Sequence, residues 1–243
     1  MQTLKEKVIL ITGANRGIGK SLVKASLEKG AKKIYATSRD VNKMPNFGDK
    51  RIETLALDIT DNTQILEIAK NTKDVNVLIN NAGILSYGNI LKGEISMLED
   101  DMRVNYYGTV NMMRAFAPVL EQNTPARIIN IASIVAYSPL ASIAGYSASK
   151  TALYSATLSV RTELEKKGIT VHAVNPGAID TDMNKGSDWD MPAPDGIAKI
   201  ILDKVEVGEL DIVPDVMGLE MYNTWKEEPS RLAEMFSKMY HGE

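Results

Sequence analysis

Val8-Ile9-Leu10-Ile11-Thr12-Gly13-Ala14-Asn15-Arg16-Gly17-Ile18-Gly19 is the stretch from which the fold can be read. Its first half is a short apolar run bounded by Gly13, the pattern of a strand buried on both faces, as in a parallel sheet. Glycines then let the backbone turn sharply and come close to a bulky anion. Ile18, Leu22 and Ala25 recur at helical spacing up to Gly30, a stop signal. Strand, glycine turn and helix start together make a dinucleotide phosphate site, because the helix N-terminus offers free N–H groups and the positive end of its dipole. Gly13, Asn15, Arg16, Gly17, Ile18 and Gly19 are the candidate contacts. The plain alternative is a tight strand-to-helix turn that holds nothing.

Lys33 to Ser38 reads as the second strand, and what ends it decides the cofactor. An acidic residue there would hold the ribose 2′-hydroxyl of NAD. Ser38 and Arg39 stand there instead, and Arg16 can converge from the glycine turn. Two guanidiniums suit a 2′-phosphate, so NADP(H) is expected over NAD(H). Against this, both arginines could be solvated surface charges, with Asp40 neutralising Arg39.

The alternation continues. Arg51 to Leu57 reads as a third strand ending at Asp58-Ile59, Asp61 to Lys70 as a helix, and Val75 to Ile79 as a fourth strand. That strand closes on Asn80-Asn81-Ala82-Gly83, which suits either a ligand crevice at a sheet edge or ordinary turn chemistry. Glu94 to Gln122 reads as one helix with Val104, Tyr107, Val110, Met113 and Ala117 inward; Asn105, a poor helix former, sits inside it. Arg127 to Ala132 is a fifth strand that delivers Ser133 to the sheet's carboxyl edge, and Ile134 to Gly145 a loop. A helix from near Tyr146 follows, with Leu153, Ala156, Val160 and Leu164 inward. Ile169 to Asn175 is the sixth strand, closing on Pro176-Gly177. A loop at about 178–194 has the composition of a substrate lid. Pro192 to Val205 is helical, Leu210 to Val213 a seventh strand, and the tail with Trp225 and Phe236 is amphipathic. The pattern gives a Rossmann-like α/β fold: a doubly wound, seven-stranded, mostly parallel sheet with helices on both faces, in one domain over 1–243.

Tyr146 and Lys150 are four apart and share one face if the segment is helical. An ammonium beside a phenol favours the phenolate and draws its pKa down from about 10. The pair can then exchange a proton with an alcohol or carbonyl. Tyr222 and Lys226 repeat the spacing, but Glu209 stands where a matching serine would be needed; they read as a helix-surface pair. His172 lies inside a strand and reads as a core histidine.

Composition narrows the classes. Of 243 residues, 44 % are hydrophobic and 24 % charged, ordinary for a globular chain. With no cysteine and 2 histidines, no metal site is expected. A net charge of −3 argues against a nucleic-acid partner. No apolar run approaches a membrane span, and the opening from Met1 leaves no room for a signal peptide. No membrane partner and a cytoplasmic setting are expected.

Taken in chain order, Thr12-Gly-x-x-x-Gly17-x-Gly19, Asn80-Asn81-Ala82-Gly83, Asn105, Ser133, Tyr146-x-x-x-Lys150 and Pro176-Gly177 resemble the short-chain dehydrogenase/reductase superfamily, in its single-domain branch of about this length. The resemblance implies that Tyr146 is the general acid or base, that Lys150 lowers its pKa and bonds the nicotinamide ribose, and that Ser133 bonds the substrate oxygen. It implies that Asn105 helps hold a water in a proton relay through Lys150. Asp58 and Ile59 would face the adenine. Asn81, Ala82 and Gly83 would line the cofactor, and Pro176, Gly177, Ile179 and Thr181 its nicotinamide and pyrophosphate end. The expected activity is hydride transfer between NADP(H) and a small or medium ketone or aldehyde, or the corresponding alcohol. Ile84, Leu85, Tyr87, Val135, Tyr137, Leu140, Met183 and Trp189 would line an apolar substrate pocket. A catalytically idle NADP(H)-binding regulator is the alternative. A sugar-nucleotide epimerase or dehydratase would need a larger carboxy-terminal domain and another glycine spacing. Many relatives tetramerise through a glycine-rich tail; Asp211-Ile212-Val213-Pro214-Asp215 leads into methionines here, so a homodimer or a monomer stands beside the homotetramer.

Overall fold

The computed structural model describes residues 3–186 and 188–242. Met1, Gln2, Glu243 and, within the expected 178–194 loop, Ser187 lie outside the described residues. Seven strands form one sheet: β1 Val8–Ile11, β2 Lys33–Ser38, β3 Ile52–Ala56, β4 Val77–Asn80, β5 Ala126–Ile131, β6 Ile169–Val174 and β7 Asp211–Ile212. Their order is β3-β2-β1-β4-β5-β6-β7, and every pairing is parallel. The chain leaves β1 towards β2 and β3, then returns to its other side at β4. That reversal opens a crevice at the carboxyl ends of β1 and β4, the place where such sheets bind ligands.

Strand periodicity divides the core in two. Ile9, Ile11, Ile129 and Ile131 face α1 (Gly17–Glu28) and α6 (Pro194–Val207), meeting Leu22, Val23, Ile201 and Leu202. Leu10, Leu78 and Ile128 face the opposite layer, meeting Ile65 of α2 (Asn62–Asn71) and Met112 and Phe116 of α4 (Thr109–Gln122). A third apolar cluster lies over the sheet's carboxyl edge. It joins the start of α5 (Ala144–Leu164) to α7 (Val216–Glu227) and α8 (Pro229–His241). Asp215 starts α7 by accepting the Gly218 N–H at 2.8 Å, a side-chain cap.

The helix expected over Glu94–Gln122 is broken. It consists of α3 (Ile95–Asp101), a π-helical segment Met102–Gly108, and α4. Helical spacing survives the wide turn, so periodicity does not expose it, but the inward face changes. Tyr107, expected inside, is 58 % exposed, whereas Asp101 and Asn105 are fully buried. Wide turns of this kind are frequent at functional sites. Gly108 permits a close approach: a Cβ there would lie 2.9 Å from Ile59 Cδ1 and from its carbonyl oxygen. Among the described residues, no helix is long and apolar enough to cross a membrane, and no group of acidic and histidine side chains could hold a metal ion.

Candidate active site

A cleft of about 1270 Å³ runs along the carboxyl edge of the sheet. At one end Gly13 turns with φ +65° and Gly17 with φ +52°, where a side chain would be strained. Asn81 fixes this turn. Its amide donates to the Thr12 and Gly13 carbonyls, and its own N–H and that of Ala82 donate to the Thr12 hydroxyl, all at 3.0 Å. Gly19 lies beneath the turn; a Cβ there would collide with the Gly13 carbonyl and the Asn81 amide. Helix α1 starts at Arg16 with no side-chain cap and no acidic residue in its first turn. Its free N–H groups and positive dipole end therefore meet the cleft, and the fit to a phosphate is good.

Farther along, Ser38, Arg39, Asp58 and Ile59 line the same cleft. The Ser38 hydroxyl donates to the Asp40 carbonyl at 2.9 Å. Asp40 lies 3.7 Å from the Lys43 ammonium, which gives it an ion pair other than Arg39. Burial pushes the Asp58 carboxyl up, but bonds from the Thr60 N–H (2.9 Å) and hydroxyl (2.7 Å), with the Arg39 charge, leave it below the usual range. Arg16 lies 3.3 Å from Asp182, both well exposed, so the glycine turn is tied to the 178–194 loop.

Strand β5 delivers Ser133 to the middle of the cleft. Its hydroxyl is loosely held, 3.5 Å from the Pro176 carbonyl and 3.4 Å from the Val135 N–H. Helix α5 begins two residues before Tyr146 and carries Lys150 one turn on. The Lys150 ammonium donates to the Ile131 carbonyl at 2.8 Å and lies 5.5 Å from the Tyr146 ring centre. Here the expected lowering of the phenol pKa does not occur. Burial, which disfavours the charged form of either group, pushes Tyr146 up to about 12 against a hydrogen bond with Ser133. Burial brings Lys150 down to about 8. Asn105 sits one layer behind the cleft wall. Its amide donates to the Ile84 carbonyl and the Ser149 hydroxyl, and its oxygen accepts the Ile84 N–H, each at 2.9 Å. That oxygen has a second acceptor lone pair.

The chain matches the short chain dehydrogenase family model over residues 7–191. It is a member of the short-chain dehydrogenase/reductase family. A short chain dehydrogenase from Burkholderia cenocepacia, solved in complex with NADP, superposes with a TM-score of 0.92 at 34% identity, covering 97% of this chain and 99% of that one. An uncharacterised oxidoreductase of Staphylococcus saprophyticus is 32% identical over 78% of this chain and 85% of its own. An NADPH-dependent 1-acyldihydroxyacetone phosphate reductase of Schizosaccharomyces pombe is 34% identical over 72% of this chain and 61% of its own.

Most of the expected contacts of this dehydrogenase/reductase fall on one cleft. Gly13, Asn15, Arg16, Gly17, Ile18, Ala82, Gly83, Ser133, Tyr146, Lys150, Pro176, Gly177, Ile179 and Thr181 all line it. Gly19 and Asn105 do not; both act from behind the wall. Of the expected substrate pocket, Ile84, Leu85, Tyr87, Val135, Leu140, Met183 and Trp189 reach the cleft. Tyr137 turns away. It accepts a bond from Asn175 at 3.0 Å and packs against Tyr154, Tyr222 and Trp225. Sequence reasoning missed the wall supplied by the tail: Met217 and Met221 of α7, Phe236, Met239 and Tyr240 of α8. Their helical spacing on an amphipathic tail was the available signal.

Proposed function

We propose that the chain is an NADP(H)-dependent carbonyl reductase for a ketone or aldehyde with an apolar body, with Tyr146 as the proton donor. One observation carries this reading: the buried Ser133, Tyr146 and Lys150 sit in the same cleft as an uncapped helix start behind a glycine turn. When bound, the nicotinamide supplies the hydride. Ser133, loosely bonded, can turn its hydroxyl to the substrate oxygen and stabilise charge as it develops there. Tyr146 gives its proton to the same oxygen. A phenol at about 12 is protonated at neutral pH, the form a reductase needs at the start of turnover. Lys150, at about 8, is still largely ammonium there and compensates the phenolate left behind. Asn105 holds the Ile84 backbone and Ser149 in place and offers its remaining lone pair to a relay water.

Arg39, exposed on the cleft wall, supports NADP(H) over NAD(H), as do the named cofactors of the Burkholderia and Schizosaccharomyces relatives. Val135, Leu140, Met221 and Phe236 around Tyr146 support an apolar substrate. The test is NADPH oxidation against ketones, diketones, quinones and aldehydes, with Tyr146→Phe beside the wild type. Turnover that the variant loses while it still binds NADPH supports the reading. Tight NADPH binding with no turnover on any compound moves the reading to an idle cofactor-binding regulator.

A further inference from the structure

Asp101 is a fully buried carboxylate that the mechanism above leaves unused. It ends α3, where α3 crosses the start of α5. One oxygen accepts the Ser86 hydroxyl at 3.2 Å; the other is buried without a hydrogen-bond partner. That second oxygen is pressed against Gly145, where a Cβ would lie 2.9 Å from it and 3.1 Å from Leu98 Cα. Gly145 immediately precedes Tyr146. A buried charge with an open lone pair is costly, so its retention at this crossing calls for a role.

The geometry repeats one turn later. Asp101 and Asn105 are four residues apart, and so are Gly145 and Ser149. Asp101 touches Gly145, and Asn105 bonds Ser149. Tyr146 and Lys150 are the next residues after these two rungs. The segment carrying Asp101 is thereby locked in register with the helix carrying the reactive pair. Helix α5 has no side-chain cap and no acidic residue in its first turn. Asp101 brings a negative charge from a neighbouring helix to that positive dipole end.

We propose that Asp101 is a positioning residue that keeps the proton on Tyr146 and on Lys150, biasing the site towards proton donation and hence towards carbonyl reduction. The inference rests on the reading of Tyr146 as the acid. The groups that face Asp101 are Lys150 and Tyr146 from α5, Ser86 from the segment after β4, and Asp100 from its own helix. Asp100 is bonded to Arg103 at 2.5 Å. A carboxylate here raises the pKa of both α5 groups and offsets part of what burial does to Lys150. Burial holds Asp101 itself up, at about 6, so it is ionised over the neutral range and loses its influence in acid.

The decisive variant is Asp101→Asn, which keeps the shape and removes the charge. The first readout needs no turnover: the Lys150 side-chain carbon signal in lysine-labelled full-length protein, assigned with Lys150→Met, followed against pH. Its midpoint should fall by about one pH unit in Asp101→Asn. The second is the pH profile of kcat/KM for alcohol oxidation, whose rising limb should move to lower pH by a similar amount. Ser86→Ala keeps the carboxylate but removes a bond to its charged form. It should raise the pH below which the Asp101 influence is lost, and it stands in if Asp101→Asn does not fold. An unchanged Lys150 midpoint in a folded Asp101→Asn protein overturns the proposal. A shifted midpoint in a protein that turns over no carbonyl compound or alcohol sinks the reductase reading and leaves the coupling standing.

Discussion

Replacing Arg39 with alanine isolates the cofactor preference. The guanidinium stands on the cleft wall beside Asp58, exposed to solvent. A charge-assisted bond to phosphate contributes about 1.5–3 kcal/mol when shielded. Water screens an exposed pair, so about 1 kcal/mol is expected to survive. That corresponds to roughly fivefold weaker NADPH binding. NADH has no 2′-phosphate and should bind the variant as it binds the wild type. Arg16→Ala should do less, because its guanidinium must first leave Asp182, 3.3 Å away. Calorimetric titration of both nucleotides against the wild type and the two variants reads these numbers directly. Equal losses for NADPH and NADH in Arg39→Ala, or no loss for either, would refute the 2′-phosphate assignment.

His172 supplies a pH test of the fold. Burial brings its pKa from 6.5 to about 4, and its Nδ1 lies 2.7 Å from the Glu209 carbonyl. Between those values the unfolded chain takes up a proton that the native state refuses, so the wild type should lose up to about 3 kcal/mol as pH falls from neutral to 4. Asp101, held above its ordinary value, acts in the opposite direction between about 4 and 6. It is present in both proteins, so urea midpoints should fall less with acid in His172→Asn than in the wild type; parallel slopes would remove His172 from the account. At the cleft mouth, the Asn89 amide donates to the Tyr240 hydroxyl at 3.1 Å, joining the segment after β4 to α8. Asn89→Ala should raise KM for the bulkiest accepted substrates by about two- to fivefold, through the loss of one exposed bond, and leave the melting temperature nearly unchanged. A kcat loss at constant KM would place the effect elsewhere.

Much of the fold is legible because β1, β4, β5 and β6 are buried on both faces and read as apolar runs between glycine and amide turns. The reactive pair is legible because four-residue spacing means one face of a helix. The π-helical segment is not, since Val104, Val110 and Met113 keep a helical rhythm whether or not the turn between them is wide. Asp101 is illegible for a related reason: beside Glu99 and Asp100 it looks like part of a solvated acidic face, and only the crossing at Gly145 buries it. The tail was recognisable as amphipathic, but where a helix docks depends on contacts far away in sequence. That Met217, Met221 and Phe236 wall the cleft is therefore not legible in the tail's own sequence. The direction of the phenol pKa is not legible either, because spacing conveys the nearby ammonium and says nothing about the desolvation both groups share.

The wide turn between α3 and α4 has a consequence for how this chain can vary. One residue added to a continuous helix swings every later side chain by about 100° around the axis. A π turn absorbs such an addition locally. The polar face that Asp101 and Asn105 show to α5 and the apolar face that Met112 and Phe116 show to the sheet are thus set in separate phases along what looks like one run of sequence. Substitutions that retune the reactive centre and substitutions that repack the sheet can accumulate independently on either side of residues 102–108.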